Sequence, residues 1–358
     1  MRKFLLCFLI NLGFFMNLSG YIVLKEVVPG WVFIVDSKGF IYTNFGENEI
    51  RKFSPEGKLI QKIGRKGQGP GDILRLGSFA INPKDGNIYV TEWYRGNRKV
   101  SIFSLEGKYV GEWRIDLDWK YWQGLGLIKF DKFGNGYIFA AHSDWKRYKD
   151  FMLSEEEQII TKFDYEGKKR NELCKIRVAN DCDKGGKGEI TIPFTNNLFF
   201  DVLEDKIAIK EAINDYVSIF DLNGKEVQKV YLPFKKEKVS QKDIEEWTDW
   251  MKPWGKRAGL DPDFLDYWKS RMPFPEYKPI STRVYFDGKG NLFIKKFTGY
   301  KSKGSVWIRV NISTGEYKIK ELENENIIFI DKDWVYLSRE SEEGEEVVIK
   351  MKREEFGL

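Results

Sequence analysis

From residue 33 onward, apolar and polar positions alternate with period two in short runs, the pattern of half-buried strands. The runs fall into two recurring phrases. The first is an apolar strand, an Asp/Gly-rich turn and a second strand. It reads FIVDSKGFIYTN (33–44), AINPKDGNIYVTE (80–92), KFDKFGNGYIFAA (129–141), FFDVLEDKIAIKE (199–211), VYFDGKGNLFIKK (284–296) and FIDKDWVYLSRE (329–340). The second is an alternating strand, a tight turn with Gly before Lys, and another strand start. It reads IRKFSPEGKLI (50–60), VSIFSLEGKYV (100–110), ITKFDYEGKKR (160–170) and VSIFDLNGKEV (217–227), with a weaker copy in WIRVNISTGEYKI (307–319). Glycine at these turns permits the positive φ that tight hairpins need.

Joined, the phrases make a four-stranded antiparallel meander. Equivalent positions recur 48 residues apart from Tyr89 to Tyr137 and 44 apart from Asp287 to Asp331. A period in that range marks propeller blades, whereas a β-sandwich does not repeat one unit six times. The fold class expected is all-β: a six-bladed β-propeller of four-stranded antiparallel blades over 21–358. The sixth unit runs out after EVVIKM without an outer strand, and YIVLKEV (21–27) belongs to no blade. Residues 21–27 are therefore expected beside 346–351 as the outer strand of blade six, closing the ring and protecting its edges.

One insertion breaks the period. Residues 233–281, between blades four and five, read as helical. SQKDIEEWTDWM (240–251) opens with Ser240 and Asp243 in capping-box spacing, and Ile244, Trp247 and Met251 share a face. Asp261 and Pro262 start a second helix with Phe264, Leu265, Trp268 and Met272 inward. Trp247 and Trp268 either pack these helices onto the disc or form a lid over the channel.

Loop lengths sort by face. Links between first and second strands and between third and fourth strands are short, and they share one face of the disc. The other face carries the long links: WYRGN (93–97), 143–157, 297–304, 64–75, 114–123, the cysteine-bearing 174–195 and the helical insertion. Long loops on a rigid scaffold are where binding residues concentrate.

The phrases DSKGFIY, DGNIYV, GKGNLFI, KFSPEGK, IFSLEGK and KGQGPGDI resemble those of NHL-type six-bladed β-propellers, and more closely those of exported bacterial six-bladed propeller proteins. The resemblance covers essentially residues 21 to 352 and speaks to architecture more than to activity. GRKGQGPGDI (64–73) looks at first like a phosphate cradle. It joins two strands, however, where a dinucleotide fingerprint must open a helix, and it lacks the GK[ST] ending of the ATP-type loop. Its glycines and Pro70 are read as a crossing from rim to channel.

Composition narrows the function. The chain has 59 Lys and Arg against 54 Asp and Glu, with no dense basic block, so nucleic acid is discounted as a partner. Arg2 and Lys3 precede FLLCFLINLGFFMNL, an apolar stretch too short for an ordinary membrane span. Residues 1–20 are read as an export signal, with an uncleaved N-terminal anchor as the alternative. That places the protein in the periplasm or outside the cell, without a further membrane span. Beyond the signal stand Cys174 and Cys182, which are either a disulfide closing a small loop or two free thiols.

On the long-loop face the aromatic and basic residues Trp93, Tyr94, Arg95, Trp119, Tyr121, Trp122, Trp145, Arg147, Tyr148 and Tyr300 gather. Rings beside guanidinium groups suit sugar faces, peptides or aromatic ligands. The single histidine, His142, has no nucleophile elbow to serve. The leading reading is an exported, non-enzymatic binding propeller without a cofactor, recognising a glycan, a peptide or an envelope protein. The alternative is a metal-dependent hydrolase. The resemblance to lactonase-like propellers implies Ca2+ or another divalent cation at the channel mouth, and Glu92, Asp144 and Glu211, at second-strand ends, are the candidate ligands. A third reading is a scaffold in a cell-envelope complex.

Overall fold

A computed structural model describes residues 21–93, 99–115, 124–148, 150–183, 189–257, 263–341 and 343–357. The expected signal, 1–20, lies outside them. The sheets follow chain order. β1 (Tyr21–Leu24) comes first. Blade one is β2 (Phe33–Val35), β3 (Ile41–Phe45), β4 (Glu49–Phe53) and β5 (Leu59–Ile63). Blade two is β6 (Leu76–Ile81), β7 (Ile88–Glu92), β8 (Lys99–Phe103) and β9 (Tyr109–Arg114). Blade three has five strands: β10 (Gly124–Phe130), β11 (Gly136–Tyr148), β12 (Phe151–Phe163), β13 (Lys169–Asp183) and β14 (Glu189–Thr191). Blade four is β15 (Leu198–Leu203), β16 (Lys206–Glu211), β17 (Tyr216–Asp221) and β18 (Glu226–Tyr231). Helices α1 (Gln241–Arg257) and α2 (Asp263–Arg271) follow. Blade five is β19 (Ser281–Phe286), β20 (Asn291–Lys296), β21 (Ser305–Asn311) and β22 (Tyr317–Leu322). β23 (Glu325–Ile330), β24 (Trp334–Glu340) and β25 (Glu346–Lys352) make blade six, ahead of a last turn, α3 (Arg353–Phe356). All pairings within the blades are antiparallel, as a six-bladed propeller requires.

The repeated turn chemistry explains why these segments fold alike. Asp36, Asp131 and Asp287 each accept two backbone N–H groups through Oδ1, from the residues two and four ahead. In blades one and three a buried tyrosine of the second strand also donates to the same carboxylate: Tyr42 to Asp36 at 3.1 Å and Tyr137 to Asp131 at 3.0 Å. In blade two Tyr89 donates to Asp85 at 2.9 Å. Burial, then the nearby carboxylate, pushes each phenol well above its ordinary pKa. An Asx turn and a tyrosine thus lock one hairpin together.

Ring closure shows in a contact that recurs around the disc. The turn glycines of the second phrase sit at positive φ, and in blades one to four they press on the outer strand of the preceding blade, whereas Gly315 of the weaker copy has no such neighbour. A Cβ added to Gly167 would meet Trp113 of β9 at 2.6 Å, one on Gly224 would meet Leu173 of β13 at 2.7 Å, and one on Gly107 would meet Ile63 of β5 at 3.1 Å. In blade one, Gly57 presses on Leu24 of β1 in the same way, at 3.0 Å. β1 therefore stands where the outer strand of blade six must stand. It pairs with β25 from Tyr21↔Met351 to Leu24↔Val348. The pairing stops at Leu24, shorter than the 21–27 and 346–351 expected, because the chain turns there and Val27 N–H donates back to Leu24 O at 3.1 Å. Leu24 is fully buried in a cluster shared by blades one and six.

Blade three departs from expectation. Residues 143–157 were expected as a loop, yet β11 and β12 are 13 residues each and pair through to Tyr148↔Phe151. β13 runs for 15 residues, so Cys174 and Cys182 lie on one strand rather than in a glycine-rich loop. Cys174 faces Ile160 and Cys182 faces Leu153 across the sheet. Two positions eight apart on an extended strand are far beyond the reach of a disulfide, and both thiols are free. Burial, then Glu211 for Cys174 and Asp181 for Cys182, pushes the thiols up to about 11 and about 12. The extension rises above the long-link face and meets α1 and α2. Phe151, Cys182, Ile190, Ile192, Trp247, Leu265, Trp268 and Met272 form a core of their own there. We call this second layer the cap. No helix of the described residues is long and apolar enough to cross a membrane.

Candidate functional site

The inner strands of all six blades line an axial channel of about 290 Å³. Its wall is largely apolar, with the aromatic rings of Phe33, Phe199, Tyr285 and Phe329 among the lining residues. Its charged lining residues are Lys129, Asp201 and Arg283. Lys129 Nζ lies 2.8 Å from Asp201 Oδ1, and Asp201 Oδ2 also accepts the Phe286 N–H at 2.8 Å. Burial works against the Lys129 charge, but the carboxylate outweighs it and holds the ammonium above its ordinary pKa.

Above the channel, beneath the cap, lies a second cavity of about 570 Å³. Phe199 and Thr282 line both spaces, so the cavity is the mouth of the channel. Besides Phe199, its aromatic walls come from four places: Phe194 after β14, Trp247 and Trp250 on α1, Phe297 after β20, and Tyr300. The N-terminus of α1 is fixed by the capping box expected from sequence. Ser240 N–H donates to Asp243 Oδ2 at 2.9 Å, and Asp243 N–H donates back to Ser240 Oγ at 3.3 Å. Trp247 and Trp268 are buried and pack the helices down. Trp250 is 42% exposed and tilts against Tyr300, ring centroids 5.2 Å apart. Phe194 holds a left-handed φ of 62°, and its N–H donates to Tyr300 Oη at 3.3 Å. Burial pushes the Tyr300 phenol up to about 12, so it stays a neutral hydroxyl. A non-glycine residue in that conformation costs energy and persists where its surroundings fix it.

A polar buttress holds the mouth wall. Gln158 Nε2 donates to Glu156 Oε1 at 2.7 Å and to Asn197 Oδ1 at 2.8 Å, and Gln158 Oε1 accepts the Leu198 N–H. Asn180 donates to Glu156 Oε2 at 3.0 Å. Burial raises the Glu156 carboxyl above its ordinary pKa, against the two amide bonds. The network ties blade three to blade four below residues 190–197.

Of the ten residues expected at the site, Tyr300 alone lines the mouth among those described. Trp93 stacks on Phe139 at 6.3 Å and serves the contact between blades two and three. Trp145 and Arg147 are exposed on the β11–β12 extension, and Tyr148 packs on Phe151 in the cap. Tyr94, Arg95, Trp119, Tyr121 and Trp122 lie outside the described residues. The sequence reading missed Trp250, Phe194 and Phe297. Their signal was present in WTDW and FTG, but only the folded insertion brings these segments together.

The candidate metal ligands do not converge. Glu92 is buried and accepts the Leu74 N–H at 2.8 Å, with Lys99 Nζ at 3.5 Å. Asp144 pairs with His142 Nε2 at 2.8 Å, and Glu211 accepts from Asn196 at 3.1 Å. They belong to three blades, each engaged locally, and no described group of three His, Cys, Asp or Glu side chains could hold an ion. These residues do not fit a divalent cation. The glycine-rich 64–73 likewise carries its own anion. Asp72 accepts the Gly69 N–H at 3.0 Å and pairs with Arg65 Nε at 2.6 Å.

Comparison with known proteins agrees with this geometry. A family model described as 6-bladed beta-propeller, DUF5128, matches residues 27–247, more than half of the chain. The chain belongs to this family. The six-bladed part of the resemblance read from the turn phrases is thereby shown. No curated protein matches. Among solved structures, a member of the DUF4221 family from Bacteroides vulgatus has 10% identity and a TM-score of 0.53 over 93% of this chain and 96% of that one. A protein from Bacteroides fragilis, provisionally described as exported, gives 10% identity and a TM-score of 0.48 over 92% and 94%. One provisionally described as a gluconolactonase gives 10% and 0.49 over 94% of each chain. The first shows a shared fold and nothing finer, and the other two fall below the level at which a likeness carries weight.

Proposed function

We propose that this DUF5128 propeller is an exported binding protein that holds a small ring-bearing ligand, a glycan or peptide fragment, in the capped mouth of its channel. One observation carries the reading: the elaborated face encloses an aromatic cavity opening into the channel, with Trp250 half exposed at its wall. Enclosed aromatic surface with few polar groups favours ring stacking over covalent chemistry. The basic and apolar segment at 1–18 supports export.

The test is intrinsic tryptophan fluorescence of the full chain titrated with glycan fragments and short peptides. Trp250→Ala and Tyr300→Ala are each expected to weaken any ligand so identified by about tenfold, roughly 1.4 kcal/mol. Unchanged affinity in both variants would remove the mouth from the function. A scaffold role is the second reading. It is favoured by the rim, where Ile22, Ile60, Val110, Val227 and Tyr231 of the outer strands stand exposed. Lys substitution at Ile60 and Val110 would abolish a rim partner and leave mouth binding intact.

A further inference from the structure

We propose that the ligand carries an anionic group, a carboxylate or sulfate, which is held in the channel by Arg283, with Lys295 beside it on the same face of blade five. This deepens the binding reading and rests on it.

Arg283 of β19 and Lys295 of β20 are direct cross-strand partners, so their side chains leave the same face of blade five. Arg283 lines the channel, next in sequence to Thr282, which lines channel and mouth alike. Among the described residues neither cation has a carboxylate within salt-bridge distance. Arg283 Nη1 donates to the Tyr285 hydroxyl at 2.9 Å. Arg309, on the same face one strand further out and diagonal to Lys295, has a buried Nε without a partner.

Several enclosed cations elsewhere have acids beside them. Lys129 has Asp201, Arg353 has Asp287, and Lys278 has Glu237 and Asp243. Lys210 and Lys350, buried without a carboxylate at salt-bridge distance among the described residues, donate to backbone carbonyls instead, Lys210 to Glu211 and Asn214 and Lys350 to Pro55. Packing one cation beside another without an acid costs free energy that an incoming anion returns. Burial first and Arg283 second push the Lys295 ammonium down to about 8. A guanidinium offers a carboxylate or sulfate two parallel donors, and Tyr285 and Phe199 line the same channel. A ligand with a ring body in the mouth and an anionic head in the channel satisfies both sets of groups.

Two fluorescent probes with one ring system separate the claims: 1-anilinonaphthalene-8-sulfonate and its uncharged analogue N-phenyl-1-naphthylamine. Both are expected to bind the native full chain saturably, the sulfonate more tightly. Arg283→Met with Lys295→Met should weaken the sulfonate by about tenfold or more and leave the neutral probe within about twofold. Trp250→Ala should weaken both. If the double variant does not fold, the single variants Arg283→Gln and Lys295→Gln serve, each expected to lose sulfonate affinity selectively. Equal loss of both probes, or no loss of the sulfonate in a variant with native thermal unfolding, overturns the anion site and leaves the mouth standing. Failure of the native protein to bind either probe overturns the mouth itself.

Discussion

Blade two and blade three begin with the same phrase and end differently. In blade two the strands are five or six residues, and each is used up within the thickness of the ring. In blade three, β11, β12 and β13 run on for 13, 13 and 15 residues. Within the ring both blades bury the same kinds of residue against their neighbours, as in the cluster of Tyr89, Trp113, Ile128, Phe130, Ile138 and Phe163. Above the ring there is no neighbouring blade, so blade three packs instead on α1 and α2. The ring is thus a cyclic structure in which every blade has two equivalent partners. The cap has one set of partners, used once, and the mouth cavity lies between the two layers.

That difference predicts unequal responses to damage. The largest effect belongs to the closure. Leu24→Asp places a carboxylate where Leu24 is fully buried against Gly57 and Val348. Lys350, on the same face of β25, is itself buried and turned to Pro55 O, so the substitution should cost about 4 kcal/mol and open the ring, exposing edge strands on both sides. Denaturant unfolding should show loss of the whole cooperative transition, cap included. A variant that lost only the 21–24 strand and kept the rest would refute the cyclic view. Trp268→Ala should be smaller and local. Trp268 is 0% exposed and meets Phe151, Phe264 and Tyr267 within the cap. Removing it should cost about 3–5 kcal/mol. Limited proteolysis should then cut between 241 and 271 while the ring keeps its strand circular dichroism. Simultaneous loss of both layers would show that the cap is part of the ring's cooperative unit.

The same contrast explains what could be read in the sequence. Ring turns are local: Asp36, Asp131 and Asp287 act on residues two and four ahead, so their spacing is printed in the chain. Closure was legible because an unclaimed strand and an incomplete blade had to meet. The blade-three extension was not. From His142 to Tyr148 most residues are exposed, so no apolar face imposes an alternation to read. Trp247 and Trp268 announced a helix face, but nothing local says that Trp250 will turn toward Tyr300, 50 residues away. Arg283 and Lys295 look like ordinary strand cations until register makes them neighbours and the missing acids can be noticed. Features built on contacts close in sequence were readable. Those built on contacts between distant segments needed the fold.

The smallest effect comes from acid, and it separates the layers by the kind of bond each uses. The cap is tied down by ion pairs. Asp249 holds Lys252 at 2.8 Å and Lys301 at 2.7 Å, and those two lysines pull its carboxyl down to about 2. Lys278 bridges Glu237 at 2.9 Å and Asp243 at 3.2 Å, and both carboxyls lie below their ordinary values. A carboxyl with a depressed folded pKa stabilises fully above its unfolded value, near about 4. That contribution is lost as pH falls through the folded value, so for Asp249 the window runs from about 4 down to about 2. A ring turn also holds a depressed carboxyl, at Asp221, but this one accepts backbone N–H groups. A protonated carboxyl keeps an acceptor oxygen for an N–H and keeps no charge for a lysine. Hydrogen exchange corrected for intrinsic rates should therefore show residues 241–271 losing protection before 88–92 as pH falls from 5 to 2. Raised salt at neutral pH should reproduce part of the loss in the cap, because exposed pairs are screened, and none in the turns. Earlier loss in the ring would mean that the ion pairs across α1 hold nothing that the buried Trp247 and Trp268 do not already hold.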